Sequence, residues 1–315
     1  MDNSLVHYIE IKWSGKQYGV YYIDAANGVL THTIVSGVRD RDVETLRATY
    51  PNLTRVKDFT RITMPPVIVT CPTYKKFDLC VKMVESANMG SVVPDAFIIL
   101  DNGAGGFNTY CQSEGITFGD DVAVIVPDEN IGVARAWNFL INTVQDNVPE
   151  ALCIVVNDDI LFANDTIELL VKAALNDFMN NDAYALCYCA GGLAAPNAFS
   201  LFMIHPTTFK EAVGLFDTTL IGGYHEDGDL YYRMRLLGLD LTRVDNCSAD
   251  HGEGSATLKS YTPDETTKHH HLFRRNREYF MRKWGGIPGE ETFTQPFNNT
   301  DIMAHMLEIH KRYGF

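Results

Sequence analysis

Residues 152–159 read Leu152-Cys153-Ile154-Val155-Val156-Asn157-Asp158-Asp159, five apolar residues followed by three polar ones. A continuous apolar run of this length is the mark of a strand buried on both faces, as a parallel sheet requires. Helical patterns flank it. Upstream, Val133, Trp137, Leu140, Ile141 and Val144 recur at helical spacing. Downstream, Ile167, Leu170, Val171, Ala174 and Leu175 do the same, behind Asp165 as a candidate N-cap with Glu168 three residues on.

Further towards the N-terminus, Val122–Val126, Ala96–Leu100 and Val67–Cys71 are short apolar runs of the same kind. The last leads into a helical pattern of Phe77, Val81 and Val84. Strands alternating with helices predict an α/β fold: a Rossmann-like, mostly parallel sheet with helices on both faces. Such sheets bind ligands beyond the carboxyl ends of their strands. Asp101 and Asp159, each just past a strand, are therefore the first candidates. Before this region, residues 1–64 predict a small β-rich unit, with strands at Leu5–Trp13, Tyr18–Asp24 and Val29–Val35 and a turn at Asn27-Gly28. Residues 65–255 are expected to form the catalytic domain, and residues 256–315 a helical C-terminal cap ending in a stripe of Ile302, Met306, Ile309 and Tyr313.

The chain has 315 residues, 46% apolar and 21% charged, ordinary values for a folded domain. Acidic residues outnumber basic ones by 40 to 26, for a net charge of −14. That balance disfavours a nucleic-acid partner, whose phosphates draw on clustered Lys and Arg. It also means that a bound diphosphate needs a metal or local cations. Seven cysteines, an odd number with no CxxC pair, are expected to be buried thiols in a reducing compartment. The N-terminus lacks a signal-peptide pattern, and the longest apolar stretch, Ala183–Ile204, is broken by Gly191, Gly192, Pro196 and Asn197. The expectation is a cytoplasmic protein (host cytoplasm if viral) with no membrane span.

Three constellations carry candidate chemistry. Asn157-Asp158-Asp159, at the end of a buried strand, places carboxylates where a hard divalent cation would meet a diphosphate. A turn with a helix cap explains the same triplet. Gly222-Gly223-Tyr224-His225-Glu226-Asp227-Gly228-Asp229 opens a helix with an apolar stripe of Leu230, Met234 and Leu237 and a stop at Gly238. The helix dipole and an Asp229–Arg233 pair account for Asp229. They leave Glu226 and Asp227 as candidate general bases. Asp250-His251-Gly252-Glu253-Gly254-Ser255 puts a histidine in a glycine-rich loop after Leu241–Val244, either as a metal ligand or as a surface residue. The run His269-His270-His271 is read as solvated helix surface, and Lys259 and the basic residues 274–277 as a solvated face that could alternatively meet a diphosphate.

These fragments, in this order, resemble the family 2 glycosyltransferases of GT-A fold, in particular their rhamnosyltransferase-like branch. The resemblance runs from Val67 to about Ser255. It rests on Pro72-Thr73-Tyr74 after the first strand (with Lys75 where the family has Asn), on Asp101-Asn102-Gly103, and on Asn130-x-Gly132-x-Ala134-x-Ala136-x-Asn138. It continues with Asn157-Asp158-Asp159 in the place of the family's DXD motif, Asn standing first. Leu215-Phe216-Asp217, then Glu226-Asp227-x-Asp229 and Arg233, and finally His251 with Ser255, complete it. Arg274-Arg275-Asn276 and Lys283-Trp284-Gly285-Gly286 are similar to C-terminal segments of phage-encoded relatives.

The resemblance implies transfer of a hexosyl or deoxyhexosyl group from a nucleoside diphosphate sugar to an acceptor hydroxyl, with inversion. It implies Mn²⁺ or Mg²⁺ held by Asp159 and His251, and donor contacts from Thr70, Pro72, Tyr74, Asp101, Asn130, Gly132, Arg135, Asn138 and Asp158. Asp227 is then the first choice as general base and Glu226 the second. The acceptor is an unidentified glycan or, in a phage enzyme, a DNA base. Competing readings are a nucleotidyltransferase and a non-catalytic nucleotide- or sugar-binding module. A dehydrogenase is weaker, because Gly103-Ala104-Gly105-Gly106 lacks the G-x-G-x-x-G spacing.

Overall fold

The computed structural model describes strands at residues 5–13, 16–24, 30–36 and 62–63, and then residues 65–181, 188–191, 197–251 and 256–298. The first four strands, β1 (Leu5–Trp13), β2 (Lys16–Asp24), β3 (Leu30–Ser36) and β4 (Ile62–Thr63), form one sheet in the order β3-β2-β1-β4. β1, β2 and β3 lie where the sequence predicts strands and pair antiparallel. The Asn27-Gly28 turn lies outside the described residues, as does the stripe from Ile302 to Tyr313.

The main sheet has seven strands in the order β12-β10-β11-β8-β5-β6-β7. These are β5 (Val67–Thr73), β6 (Ala96–Asp101), β7 (Val122–Ile125), β8 (Leu152–Val156), β10 (Tyr188–Ala190), β11 (Leu201–Ile204) and β12 (Thr242–Val244). Only β11 runs against the others. Two short strands, β9 (Leu161–Phe162) and β13 (Ala249–Asp250), pair separately and antiparallel.

Period-two alternation sends each strand's side chains into two cores. Val67, Val69 and Cys71 of β5 and Leu152, Ile154 and Val156 of β8 face one way. They pack on α1 (Phe77–Asn88), α2 (Gly106–Glu114) and α4 (Thr166–Asn181). Ile68, Cys153 and Val155 face the other way, onto α3 (Val133–Asn147), α5 (Pro206–Ala212) and α6 (Glu226–Leu236). All five residues of β8 are buried, at about 1.5–3 kcal/mol for each large side chain. The expected α/β sheet covered on both faces is therefore present. Cys71, Cys80, Cys111, Cys153 and Cys247 are buried free thiols.

The chain closes with α7 (Ala256–Lys259) and the 22-residue α8 (Pro263–Trp284). α8 begins with a capping box, in which Thr262 accepts from the Glu265 backbone N–H while Glu265 accepts from that of Thr262. Its far end is buried in the domain through Asn276, Phe280, Lys283 and Trp284. α6 stops one residue before Leu237, which is 56% exposed, so the predicted stripe reduces to Leu230 and Met234.

Candidate functional site

The carboxyl ends of β5, β6 and β8 meet the antiparallel start of β11, because Leu201 pairs with Val156 and the Asn157 N–H donates to the Ser200 carbonyl. Above this edge lies a cleft of about 300 Å³. Its walls come from segments far apart in sequence: Pro72–Tyr74, Asn157–Asp159, the 222–227 turn, His251, and Tyr261 with His269.

One side holds Asp158 and Asp159. Asp158 is buried, and its Oδ2 accepts from Thr73 Oγ1 at 2.8 Å and from the Tyr74 N–H at 3.4 Å. Burial pushes its carboxyl up to about 7 against those hydrogen bonds, with the neighbouring Asp159 adding to the rise. Asp159 Oδ1 lies 3.4 Å from His251 Nε2. The hydrogen bond to Asp159 raises the imidazole above its ordinary value, against the effect of burial. Neighbouring ligands about 2.1 Å from an octahedral cation stand about 3.0 Å apart, so this pair would share one after closing by a few tenths of an ångström. Among the described residues no three His, Cys, Asp or Glu side chains are grouped so as to hold a metal ion by themselves. A cation here would therefore take its remaining ligands from phosphate and water, as Mg²⁺ commonly does.

The facing wall is the entrance to α6. Gly222, Gly223, Tyr224 and His225 all have positive φ, at 84°, 118°, 72° and 73°. Two consecutive non-glycine residues in this region are costly and persist only where surroundings impose them. The restraint is Asn276 of α8. It is fully buried, and its Nδ2 donates to the carbonyls of Ile221 (3.0 Å), Gly223 (3.0 Å) and Tyr224 (3.3 Å). On the opposite side, a Cβ on Gly132 would come within 3.1 Å of the Gly222 nitrogen, so the backbone approach from α3 requires glycine there.

This turn delivers Glu226 and Asp227 to the cleft. Glu226 is 5% exposed; burial, and then the Asp227 charge, push its carboxyl up to about 8. Burial also raises Asp227, whose Oδ1 accepts from the Gly228 N–H at 2.7 Å. Asp229 points away from the cleft into a closed network. It accepts from Arg233 Nε (3.0 Å), Trp284 Nε1 (2.7 Å) and Lys283 Nζ (2.6 Å), while Lys283 also reaches Asp217 at 2.7 Å.

Of the residues singled out from the sequence, Pro72, Tyr74, Asn130, Gly132, Asp158, Asp159, Glu226, Asp227 and His251 line the cleft together. Four do not. Thr70 is fully buried inside the sheet and donates to the Ile154 carbonyl. Both Asp101 oxygens accept backbone N–H groups, from Gly103 (2.7 Å) and Phe107 (2.9 Å), which orders the start of α2. Asn138 exchanges two hydrogen bonds with the Phe216 backbone, tying α3 to the segment before Asp217. Arg135 is exposed and outside the lining. Gly252–Ser255 lies outside the described residues.

Sequence reasoning missed several lining residues: Phe199 and Ser200, Thr257, Leu258, Tyr261 and His269. His269 had been grouped with two solvated neighbours. His270 and His271 are exposed, but His269 turns inward, edge-on to Tyr224 (5.3 Å) and Tyr261 (5.7 Å). The signal available was helical spacing, since His269, Leu272, Asn276 and Phe280 share one face of α8.

No protein-family model and no curated protein matches the chain. Solved structures similar to it over part of their length include the following three. The mannosyltransferase PcManGT from Pyrobaculum calidifontis, in complex with GDP-Man and Mn²⁺, shares 13% identity at a TM-score of 0.43, over 69% of this chain and 70% of that one. GalNAc-T7 with UDP, GalNAc and Mn²⁺ shares 14% at 0.48, over 79% and 55%. TarS of S. aureus shares 11% at 0.42, over 57% and 35%. The chain thus spans about half of the second protein and a third of the last. Among the described residues no helix is long and apolar enough to cross a membrane.

Proposed function

We propose that the protein transfers a glycosyl group from a nucleoside diphosphate sugar to an acceptor hydroxyl, with inversion. The observation that carries this reading is the convergence of two acidic pairs, Asp158 with Asp159 beside His251 and Glu226 with Asp227, on one cleft at the carboxyl edge of the sheet. Among the described lining residues there is no Lys or Arg. A diphosphate entering such a cleft requires a cation, and the Asp159–His251 pair fits Mn²⁺ or Mg²⁺. The bound metal would supply Lewis-acid stabilisation of the departing diphosphate.

The chain's own residues do the rest. Asp159 and His251 would hold the cation at the strand termini, where the donor's diphosphate would meet it. Asp227 accepts the acceptor hydroxyl's proton, its raised carboxyl being closer to the acidity of an effective base than an exposed carboxylate. The turn held by Asn276 fixes Asp227 opposite the donor. The acidity of the cleft favours a neutral acceptor, such as a glycan, over a polyanion such as DNA.

Thermal-shift titrations with UDP, GDP, dTDP and CMP, each with and without Mn²⁺, test the proposal. Binding to the folded state alone at about 100 times the dissociation constant adds about 2.7 kcal/mol. One diphosphate should raise the melting temperature in a Mn²⁺-dependent way, and Asp159→Ala should abolish that rise. The absence of a shift with every nucleotide would overturn it.

A further inference from the structure

Among the described residues, four buried side-chain polar atoms have no hydrogen-bond partner: Trp137 Nε1, His225 Nε2, Glu226 Oε2 and Asn276 Oδ1. Folded proteins rarely leave such atoms unsatisfied, because each forfeits its hydration. Two of the four belong to residues that line the same cleft, one an N–H donor and the other a carboxyl oxygen. Trp137 is 3% exposed and Glu226 is 5% exposed.

Their elements are in contact. Gly132 at the head of α3 abuts Gly222, and a Cβ on Gly223 would stand 3.7 Å from Val133 Cγ2. Trp137 follows Val133 by one helical turn and lines the same cleft. Its ring packs on Phe216 at 4.8 Å and edge-on to Phe202 at 6.0 Å, so the indole is held by its neighbours and cannot turn to find a partner. Phe199 and Ser200 complete this end of the cleft.

We propose that Trp137 Nε1 and Glu226 Oε2 together recognise a hydroxyl group of the transferred sugar, making Trp137 a specificity-determining residue. A hydroxyl is the small group that accepts one hydrogen bond while donating another, so it satisfies both atoms at once. A carboxyl that stays neutral at pH 7 leaves no unpaired charge when the sugar is absent, consistent with the upward push that burial gives Glu226. The inference rests on the glycosyl-transfer reading and adds the subsite that distinguishes a sugar nucleotide from its bare nucleotide.

The test is an amide and indole ¹H–¹⁵N spectrum of the full chain. It contains three tryptophans, so the indole resonance lost in Trp137→Phe identifies itself. UDP-glucose, UDP-N-acetylglucosamine, GDP-mannose and dTDP-rhamnose are titrated with Mn²⁺, each against its own nucleoside diphosphate. The sugar nucleotide that binds should move the Trp137 indole proton downfield, whereas the nucleoside diphosphate alone should not. The Trp284 indole, already bonded to Asp229, should stay in place. Trp137→Phe, which keeps an aromatic ring in the packing and removes the N–H, should weaken the sugar nucleotide about 5–10-fold and the nucleoside diphosphate less than about twofold.

Binding of a sugar nucleotide with the Trp137 indole unmoved overturns the inference and leaves the glycosyl-transfer reading standing. If no nucleotide binds, that reading fails instead. Methyl glucoside, mannoside and rhamnoside at high millimolar concentration then decide: a Trp137 shift supports the hydroxyl subsite, and its absence overturns it.

Discussion

Replacing Asn276 by alanine should destabilise the protein by about 2–3 kcal/mol, although Asn276 sits some fifty residues from the turn it holds. The side-chain amide carries two N–H groups facing three carbonyls, at 3.0, 3.0 and 3.3 Å, so two bonds are complete at any moment and the third is shared. Each net bond contributes about 1 kcal/mol, and a buried carbonyl left unpaired costs a further 1–3 kcal/mol unless water reaches it. Part of that loss is offset because Asn276 Oδ1 has no partner and its removal recovers roughly 1 kcal/mol. Urea unfolding at neutral pH reads the effect as a lower midpoint at unchanged slope. Asn276→Asp should be at least as damaging, because a carboxylate would face the same carbonyls without donating to them. The positive-φ backbone at Tyr224 and His225, no longer restrained, should also relax and carry Glu226 and Asp227 out of register, lowering turnover. A loss of stability below about 0.5 kcal/mol in Asn276→Ala would refute the assignment of the turn's geometry to this side chain.

Other substitutions separate the roles within the cleft. Asp227→Asn should lower transfer on the order of 10²–10⁴-fold while nucleotide affinity, read by thermal shift, stays within a few-fold; full activity would remove Asp227 as the base. Lys283→Met should cost about 3–5 kcal/mol, because Asp217 and Asp229 then lose their shared ammonium inside the protein. Asp217 is held below the usual carboxylate range by Lys283 in spite of burial. Its contribution is therefore present above the unfolded-state value and disappears as pH falls through the folded one, so acid unfolding below about pH 4 should be blunted in Lys283→Met. Glu226 has the opposite sign. Its carboxyl is raised to about 8, so its contribution is complete below the unfolded value and is lost as pH rises towards 8. Glu226→Gln should flatten the decline in stability across that range, and a decline that persists unchanged would place its origin elsewhere.

The local order of this protein is written in its sequence. Apolar runs such as 152–156 and 67–71, and the helical spacing of Val133, Trp137, Leu140, Ile141 and Val144, identified strands and helices because burial imposes a period of two or 3.6 on neighbouring residues. The rule that ligands bind past strand ends points to Asp101 and Asp159, of which only Asp159 lines the cleft, and a flexible double glycine before two carboxylates points to Glu226 and Asp227. Those inferences use only residues close together in the chain.

Only the tertiary structure decided which polar groups face the cleft and which pack behind it. Asp101 and Asn138 were chosen from short patterns that read the same whether an amide or carboxylate faces a ligand or caps a backbone. In the structure they hydrogen-bond to the backbone of Gly103, Phe107 and Phe216. Thr70 lies too deep in β5 to reach a ligand. The entry of His269 and Tyr261 into the site, and of Asn276 behind the turn it holds, depends on α8 and the residues before it folding back across more than a hundred residues onto the strand ends. No local periodicity encodes that approach, because the free energy that fixes it comes from burying Phe280 and Trp284 and from pairing Lys283 with Asp217 and Asp229.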